Sequence, residues 1–298
     1  MINKLVIVGV GLIGGSFALA LRKAGQVKHI VGVGRGQENL QRALERGAID
    51  EIAGDLPSAL KNADMVFLSI PVGQTGEIMR QISPYLERNT IVTDAGSTKR
   101  NVIAAALSHL PQHLENIVPG HPIAGAELSG AGAAKPDLYR GKNVVLTPLK
   151  ETRTEATAQV KDLWQACGAQ VVQMSPDGHD EVLAAVSHLP HVLAFALMHL
   201  IATEDEERAN ELGPDDLLRF AGSGFRDFTR IAGSSPEMWR DICLGNREAL
   251  LKQIDSYLQT LSALRGLLAR GDGEALKTVF MNARDTRRNW LQKTPLKS

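Results

Sequence analysis

The sequence predicts an α/β fold, a mostly parallel sheet clothed by helices over residues 1–174, followed by an all-α segment over residues 175–298. Three observations carry this expectation. A Gly-x-Gly-x-x-Gly spacing at Gly9, Gly11 and Gly14 joins a short β-branched run to a small-residue run of helical length. Short apolar strand-like runs then alternate with helical ones as far as Met174. From Ser175 onward no run reads as a strand. Alternation of this kind implies parallel pairing, because parallel neighbours need a crossover that a helix supplies.

In chain order, Leu5 to Val8 is the first strand, and Ser16 to Leu21 lies in a helix ending near Gly25. Between them the first glycine permits the turn, the second lets backbone approach a pyrophosphate, and the third lets helix and strand pack closely. Unpaired N–H groups at the helix start face the anion. Gly9, Gly11, Leu12, Ile13 and Gly14 are therefore candidate contacts to a dinucleotide. A signal peptide is the competing reading, and four glycines in the apolar run with no break after Ala20 argue against it. Ile30 to Val33 is the second strand, ending Val33-Gly34-Arg35-Gly36. An acid at such a strand end accepts from the ribose of NAD, whereas an arginine meets the 2′-phosphate of NADP. Gly34 and Arg35 thus lean the cofactor toward NADP, with NAD the other candidate and a solvated surface role the alternative for Arg35.

Gln37 to Arg46 reads as a helix, and Ala63 to Ile70 as a buried strand stopped by Pro71. Ser69 and Pro71 join the cofactor candidates, since ligands gather beyond the carboxyl ends of such strands. A helix over Gly73 to Leu86 and a strand over Thr90 to Thr93 follow. The strand leads into Asp94-Ala95-Gly96-Ser97-Thr98-Lys99 and a helix to Leu110. Strands at Asn143 to Thr147 and Ala169 to Met174 flank a helix over Glu155 to Ala166.

The second half opens with one long helix, Pro176 to Thr203, free of Asp, Glu, Lys and Arg from Val182 onward. Its length would cross a bilayer, but three histidines, a serine and Pro190 oppose insertion. A helix buried on most sides, in a helical domain or a subunit interface, is the better account. An acidic bend over Asp205 to Asp216 follows, then helices over Leu217 to Ile231, Pro236 to Arg270 and Gly273 to Leu291.

The chain has 298 residues, room for two domains. Its 33 basic and 33 acidic residues cancel, so charge gives no reason to expect a nucleic-acid or membrane partner. The two cysteines, Cys167 and Cys243, have no metal-ligand spacing and read as reduced thiols of a cytoplasmic protein.

Candidate chemistry gathers at a few polar residues. His121, between Gly120 and Pro122, is expected in a loop whose backbone is held, and a neutral imidazole there takes a proton near neutral pH. A surface histidine is the competing reading. Ser97 either bonds a substrate hydroxyl or caps the next helix. His188 and His191 lie three apart on one helix face, as lining of a cleft or, without a third ligand, a poor metal pair. Arg226 and Arg230, one turn apart, either clamp a substrate carboxylate or pair with surface acids.

Taken together, Gly9-Val10-Gly11-Leu12-Ile13-Gly14-Gly15-Ser16, Asp94 to Lys99, Gly120 to Glu127, His188-Leu189-Pro190-His191 and Gly224 to Arg230 resemble the prephenate dehydrogenases and the wider arogenate and cyclohexadienyl dehydrogenases of tyrosine biosynthesis. The resemblance covers nearly the whole chain. It implies a Rossmann-type domain over 1–174, a helical substrate and dimerisation domain over 175–298, and a homodimer formed through the C-terminal helices. It also implies NAD(P)-dependent oxidative decarboxylation of prephenate or arogenate and no metal. On this pattern His121 takes the proton of the ring hydroxyl, Ser97 bonds that hydroxyl, and His191 and His188 line the pocket. Arg226 holds a carboxylate, with Arg230 the second choice. Gly34 and Ala126 depart from the pattern, leaving cofactor and side-chain preference open. A 3-hydroxyacid dehydrogenase or imine reductase on the same fold, and a non-catalytic NAD(P) sensor, are the alternatives.

Overall fold

The computed structural model describes residues 1–125, 128–212 and 216–293. Six parallel strands form the main sheet: β1 (Ile2–Val8), β2 (Val27–Val33), β3 (Glu51–Ile52), β4 (Met65–Leu68), β5 (Ile91–Asp94) and β6 (Ile117–Val118). Their order is β3-β2-β1-β4-β5-β6, so the chain winds outward from β1, returns to β4 and winds outward the other way. The reversal lies between β1 and β4, where Val8 stands opposite Leu68.

The central strands are apolar at every position because both faces are covered. Leu5, Ile7, Met65 and Phe67 point into one core with the helices Leu12–Lys23, Gln37–Glu45 and Thr154–Ala166. Val6, Val8, Val66 and Leu68 point into the other, with Leu56–Leu60, Thr75–Ile82 and Arg100–His109. The first core centres on stacked rings: Phe17 lies 4.6 Å from Phe67 and 4.4 Å from Trp164, with Tyr139 edge-on to Trp164 at 4.9 Å. Full burial of one such ring contributes about 1.5–3 kcal/mol.

The expected strands near 143–147 and 169–174 form, but not in the main sheet. With β7 (Gly120–Pro122) they make a separate sheet of order β7-β8-β9, where β8 is Asn143–Leu146 and β9 is Gln170–Gln173. β7 runs antiparallel to β8, as an edge strand can even with proline at its end. His121 is therefore a strand residue opposite Val145, where a loop is expected.

The long helical run also differs in detail. It comprises Pro176–Leu183, a π-turn at Ala184–His188 and Leu189–Leu212. Pro190 offers no N–H to the preceding turn, and the π-turn, with Leu189 N–H bonded to the Ala184 carbonyl, absorbs the lost register. Helix thus continues into the segment expected as an acidic bend, up to Leu212, with residues 213–215 outside the described chain. By length and composition the stretch Pro176–Thr203 could cross a membrane, with mean hydropathy 1.6. Only 17% of its apolar window is buried within the chain, so burial on most sides is not met by this chain alone. The helix expected over Pro236 to Arg270 breaks at Asn246, between Pro236–Gly245 and Arg247–Arg270.

Two compact units result, Met1–Arg247 and Glu248–Ser298. The second holds most of Arg247–Arg270 and all of Gly273–Lys293, and Leu258, Leu261, Leu268, Phe280 and Trp290 are each at least half exposed there.

Candidate active site

Gly9 and Ser69 follow β1 and β4 and meet at the reversal point. Gly9 has φ +94°, and a Cβ on it would stand 2.2 Å from the Ser69 carbonyl oxygen, so no side chain fits. A Cβ on Gly14 would stand 2.4 Å from the Gly9 carbonyl oxygen, which is why the helix Leu12–Lys23 can close on the loop. Gly11 is the opposite case: nothing lies within 4 Å of its Cβ position. It caps the helix without any side-chain hydrogen bond, so the first-turn amides are unshielded toward an incoming anion. Ile13 is held from behind by the Tyr139 hydroxyl, which donates to its carbonyl at 2.6 Å. These residues fit the pyrophosphate of a dinucleotide. Leu12 and Ser69 are half-buried at the same crevice, Pro71 is exposed, and Gly34 and Arg35 lie exposed just past β2 with no acid at its end.

On the other side of β4, the end of β5 builds the base. Lys99 is fully buried; its Nζ donates to Asp94 Oδ2 at 2.5 Å and to the Gly120 carbonyl at 2.7 Å. Asp94 Oδ1 in turn accepts from Gly120 N–H at 3.0 Å. Gly120, the residue preceding His121, is thereby gripped at both its polar groups. The imidazole is 9% exposed, with Nδ1 2.8 Å from His179 Nε2, and His179 Nδ1 is 2.8 Å from Asp180 Oδ1. Burial first, then the neighbouring His179, Lys99 and His188, all unfavourable to a further positive charge, push the His121 pKa well below the usual histidine value. The side chain is a neutral imidazole at physiological pH.

Ser97 lies half-buried in the turn after β5. It does not cap the next helix, which begins at Arg100 with no side-chain cap from Lys99. The first amides are taken instead by Asp180, whose Oδ1 and Oδ2 accept from Lys99 and Arg100 N–H at 2.8 and 2.9 Å. Capping is thus excluded as the reason for a serine at 97.

His188 and His191 share a face as expected, and Trp239 is what they share it against. His191 stacks on the indole with centroids 3.7 Å apart, and His188 meets it edge-on at 6.0 Å. His191 Nδ1 donates to the Ser187 carbonyl at 2.8 Å, and Asn246 Nδ2 donates to His188 Nδ1 at 3.0 Å. Burial holds His188 down to about 4. Burial also lowers His191, with the charge of Arg230 adding to it. Arg226, in the helix Ser223–Thr229, and Arg230, just after it, are both exposed, and the charge of Arg230 acts on His191. No cluster of three metal-ligating side chains occurs among the described residues. The notable residue 126 lies outside them, as does Glu127.

Lys99, His179, Asp180, Trp239 and Asn246 escape sequence reading as site residues. The one signal for Lys99 was its place five residues after Asp94 at a strand end. The others are joined to the site by hydrogen bonds spanning 58 to 81 residues, or by ring stacking across helices, and leave no local pattern.

A dinucleotide-fitted reversal point beside a neutral, buried imidazole defines a nicotinamide-dependent oxidoreductase. Two family models match the chain in succession, the nucleotide-binding domain of prephenate dehydrogenase over residues 17–173 and its dimerization domain over 175–282. A prephenate dehydrogenase of Bacillus subtilis is 38% identical, over 96% of this chain and 76% of its own. A cyclohexadienyl dehydrogenase of Zymomonas mobilis is 34% identical, over 96% and 95%. The crystal structure of prephenate dehydrogenase from A. aeolicus with hydroxyphenyl propionate and NAD+ is 38% identical, covers 97% of this chain and 98% of that one, and superposes with TM-score 0.87. The chain belongs to the prephenate dehydrogenase family, and its cofactor is NAD(P).

Proposed function

We propose that the chain catalyses oxidative decarboxylation of prephenate, or of its amino-acid counterpart arogenate, in tyrosine biosynthesis. In that reaction a ring alcohol loses its proton and its carbon-bound hydride while the ring carboxylate departs as carbon dioxide. The bound nicotinamide supplies the hydride acceptor. The observation that carries the proposal is His121, a neutral imidazole whose preceding residue, Gly120, is held by Asp94 and Lys99 at the carboxyl end of β5. Its role is to take the hydroxyl proton, and the electron density left on oxygen favours hydride departure. Ser97, relieved of capping, hydrogen-bonds the same hydroxyl. His188, His191 and Trp239 line the substrate wall.

The deciding experiment assays prephenate and arogenate, each with NAD and NADP, for carbon dioxide and reduced cofactor. Turnover of at least one substrate is expected, with NADP used at least as well as NAD because Gly34 and Arg35 leave no acid to repel a phosphate. Reduction of neither cofactor by either substrate would contradict the function. A strong NAD preference would contradict only the reading of Arg35.

The carboxylate clamp is Arg226 or, one turn on, Arg230, whose charge reaches His191. Arg230→Ala is expected to raise the KM for prephenate about 10- to 100-fold, the worth of a charge-assisted bond, and to leave the cofactor KM nearly unchanged. A larger effect from Arg226→Ala would move the clamp one turn back. The homodimer proposal rests on the exposed apolar side chains of Arg247–Arg270 and Gly273–Lys293, which a second copy would cover. The free thiols of Cys167 and Cys243 support a cytoplasmic setting.

A further inference from the structure

We infer that His179 and Asp180 form a positioning pair that presents His121 to the reacting alcohol with its Nε2 unprotonated. The inference rests on His121 being the base and adds how its tautomer is chosen. An ionised carboxylate can only accept hydrogen bonds. Asp180 is fully buried and accepts from three donors, His179 Nδ1 and the amides of Lys99 and Arg100. Burial alone would raise its pKa, but these bonds outweigh burial and hold it below the usual carboxylate value. His179 Nδ1 therefore carries the hydrogen. Burial, aided by the charge of Lys99, keeps His179 neutral against the pull of Asp180 and Asp94, so its Nε2 is a lone pair.

That lone pair lies 2.8 Å from His121 Nδ1, and two lone pairs do not face one another at this distance. His121 must donate from Nδ1. A neutral imidazole has one N–H, so Nε2 is left bare to receive a proton. When it does, the new cation keeps its bond to His179, and Asp180 offsets the charge through the intervening ring. The arrangement reaches one residue further. The carbonyl of Asp180 accepts from Asn246 Nδ2 at 2.7 Å, and the second hydrogen of that amide meets His188 Nδ1, which leaves the His188 hydrogen on Nε2. One residue thus sets His121 as acceptor and His188 as donor. The charged and titratable groups that act on His121 are His179, Lys99 and His188, while Asp180, Lys99 and Asp94 act on His179 behind it.

Asp180→Asn tests the pair. With its oxygen kept on the Arg100 amide, asparagine turns an N–H toward His179 at the cost of the acceptor for the Lys99 amide, which reverses each hydrogen in the chain and puts one on Nε2 of His121. The expected result is a kcat for prephenate lower by about 10²- to 10⁴-fold with KM values within about threefold. In ¹⁵N-histidine spectra of the whole enzyme, His121 should change from the Nδ1–H to the Nε2–H form. An unchanged kcat overturns the inference, and so does a lower kcat with the His121 tautomer unaltered. Should Asp180→Asn fail to fold, His179→Phe decides: a mixed His121 tautomer with kcat down at least about tenfold supports the pair, and wild-type kcat overturns it. His121→Asn separates the levels. If it is inactive while Asp180→Asn is fully active, only the pair falls; if it is itself active, the base falls.

Discussion

His121→Asn lowers kcat for prephenate by about 10²- to 10⁴-fold, the usual worth of a positioned general base, and leaves the substrate KM within a few-fold. Asparagine keeps a polar group of similar reach that can still donate to His179, so the surrounding bonds survive while the proton acceptor does not. The separation of kcat from KM follows from the proposed roles, in which the arginine and the Trp239 wall bind substrate and the imidazole acts on the reacting proton. Steady-state kinetics at pH 7.5 check this, and turnover within a few-fold of the parent enzyme would remove His121 from the chemistry.

Lys99→Met is the second large effect, and it falls on stability. The ammonium group is fully buried between Asp94 and the Gly120 carbonyl, so methionine of similar length leaves Asp94 as a buried carboxylate with only the Gly96 and Gly120 amides. Breaking a buried pair on one side costs about 3–5 kcal/mol, because the remaining charge loses its compensation. A thermal or urea midpoint measures it, with Lys28→Met at an exposed position as the control that changes little. A parental midpoint for Lys99→Met would mean that the buried pair adds nothing to stability.

How far the sequence speaks depends on where a residue's partners lie. The central strands are legible because both faces are buried and each run is apolar throughout, as Val6 to Val8 and Met65 to Leu68 show. Two-residue strands such as β3 and β6 carry too few positions for a pattern. Nothing in the run Asn143 to Leu146 says which sheet it joins, because register and neighbour are decided by pairing rather than composition. The glycine crevice and His121 are legible because turn chemistry and a rigid Gly-His-Pro segment are local. Asp180 falls inside the long helix expected over Pro176 to Thr203, and only folding shows that it caps a different helix 80 residues away. Asn246 is similar: read as one residue of a long helix, it is the break that aims an amide at His188.

The central claim is that a neutral imidazole at position 121 accepts the proton. Its pKa lies below the ordinary histidine value, so the base stays competent as pH falls through 6.5 and is lost only when pH reaches the depressed value. The direct measurement is kcat/KM for prephenate as a function of pH, in the parent enzyme and in His121→Asn. The account predicts an acidic limb well below pH 6.5 that disappears in the variant. A limb centred at or above pH 6.5, or one that the variant retains unchanged, would contradict it.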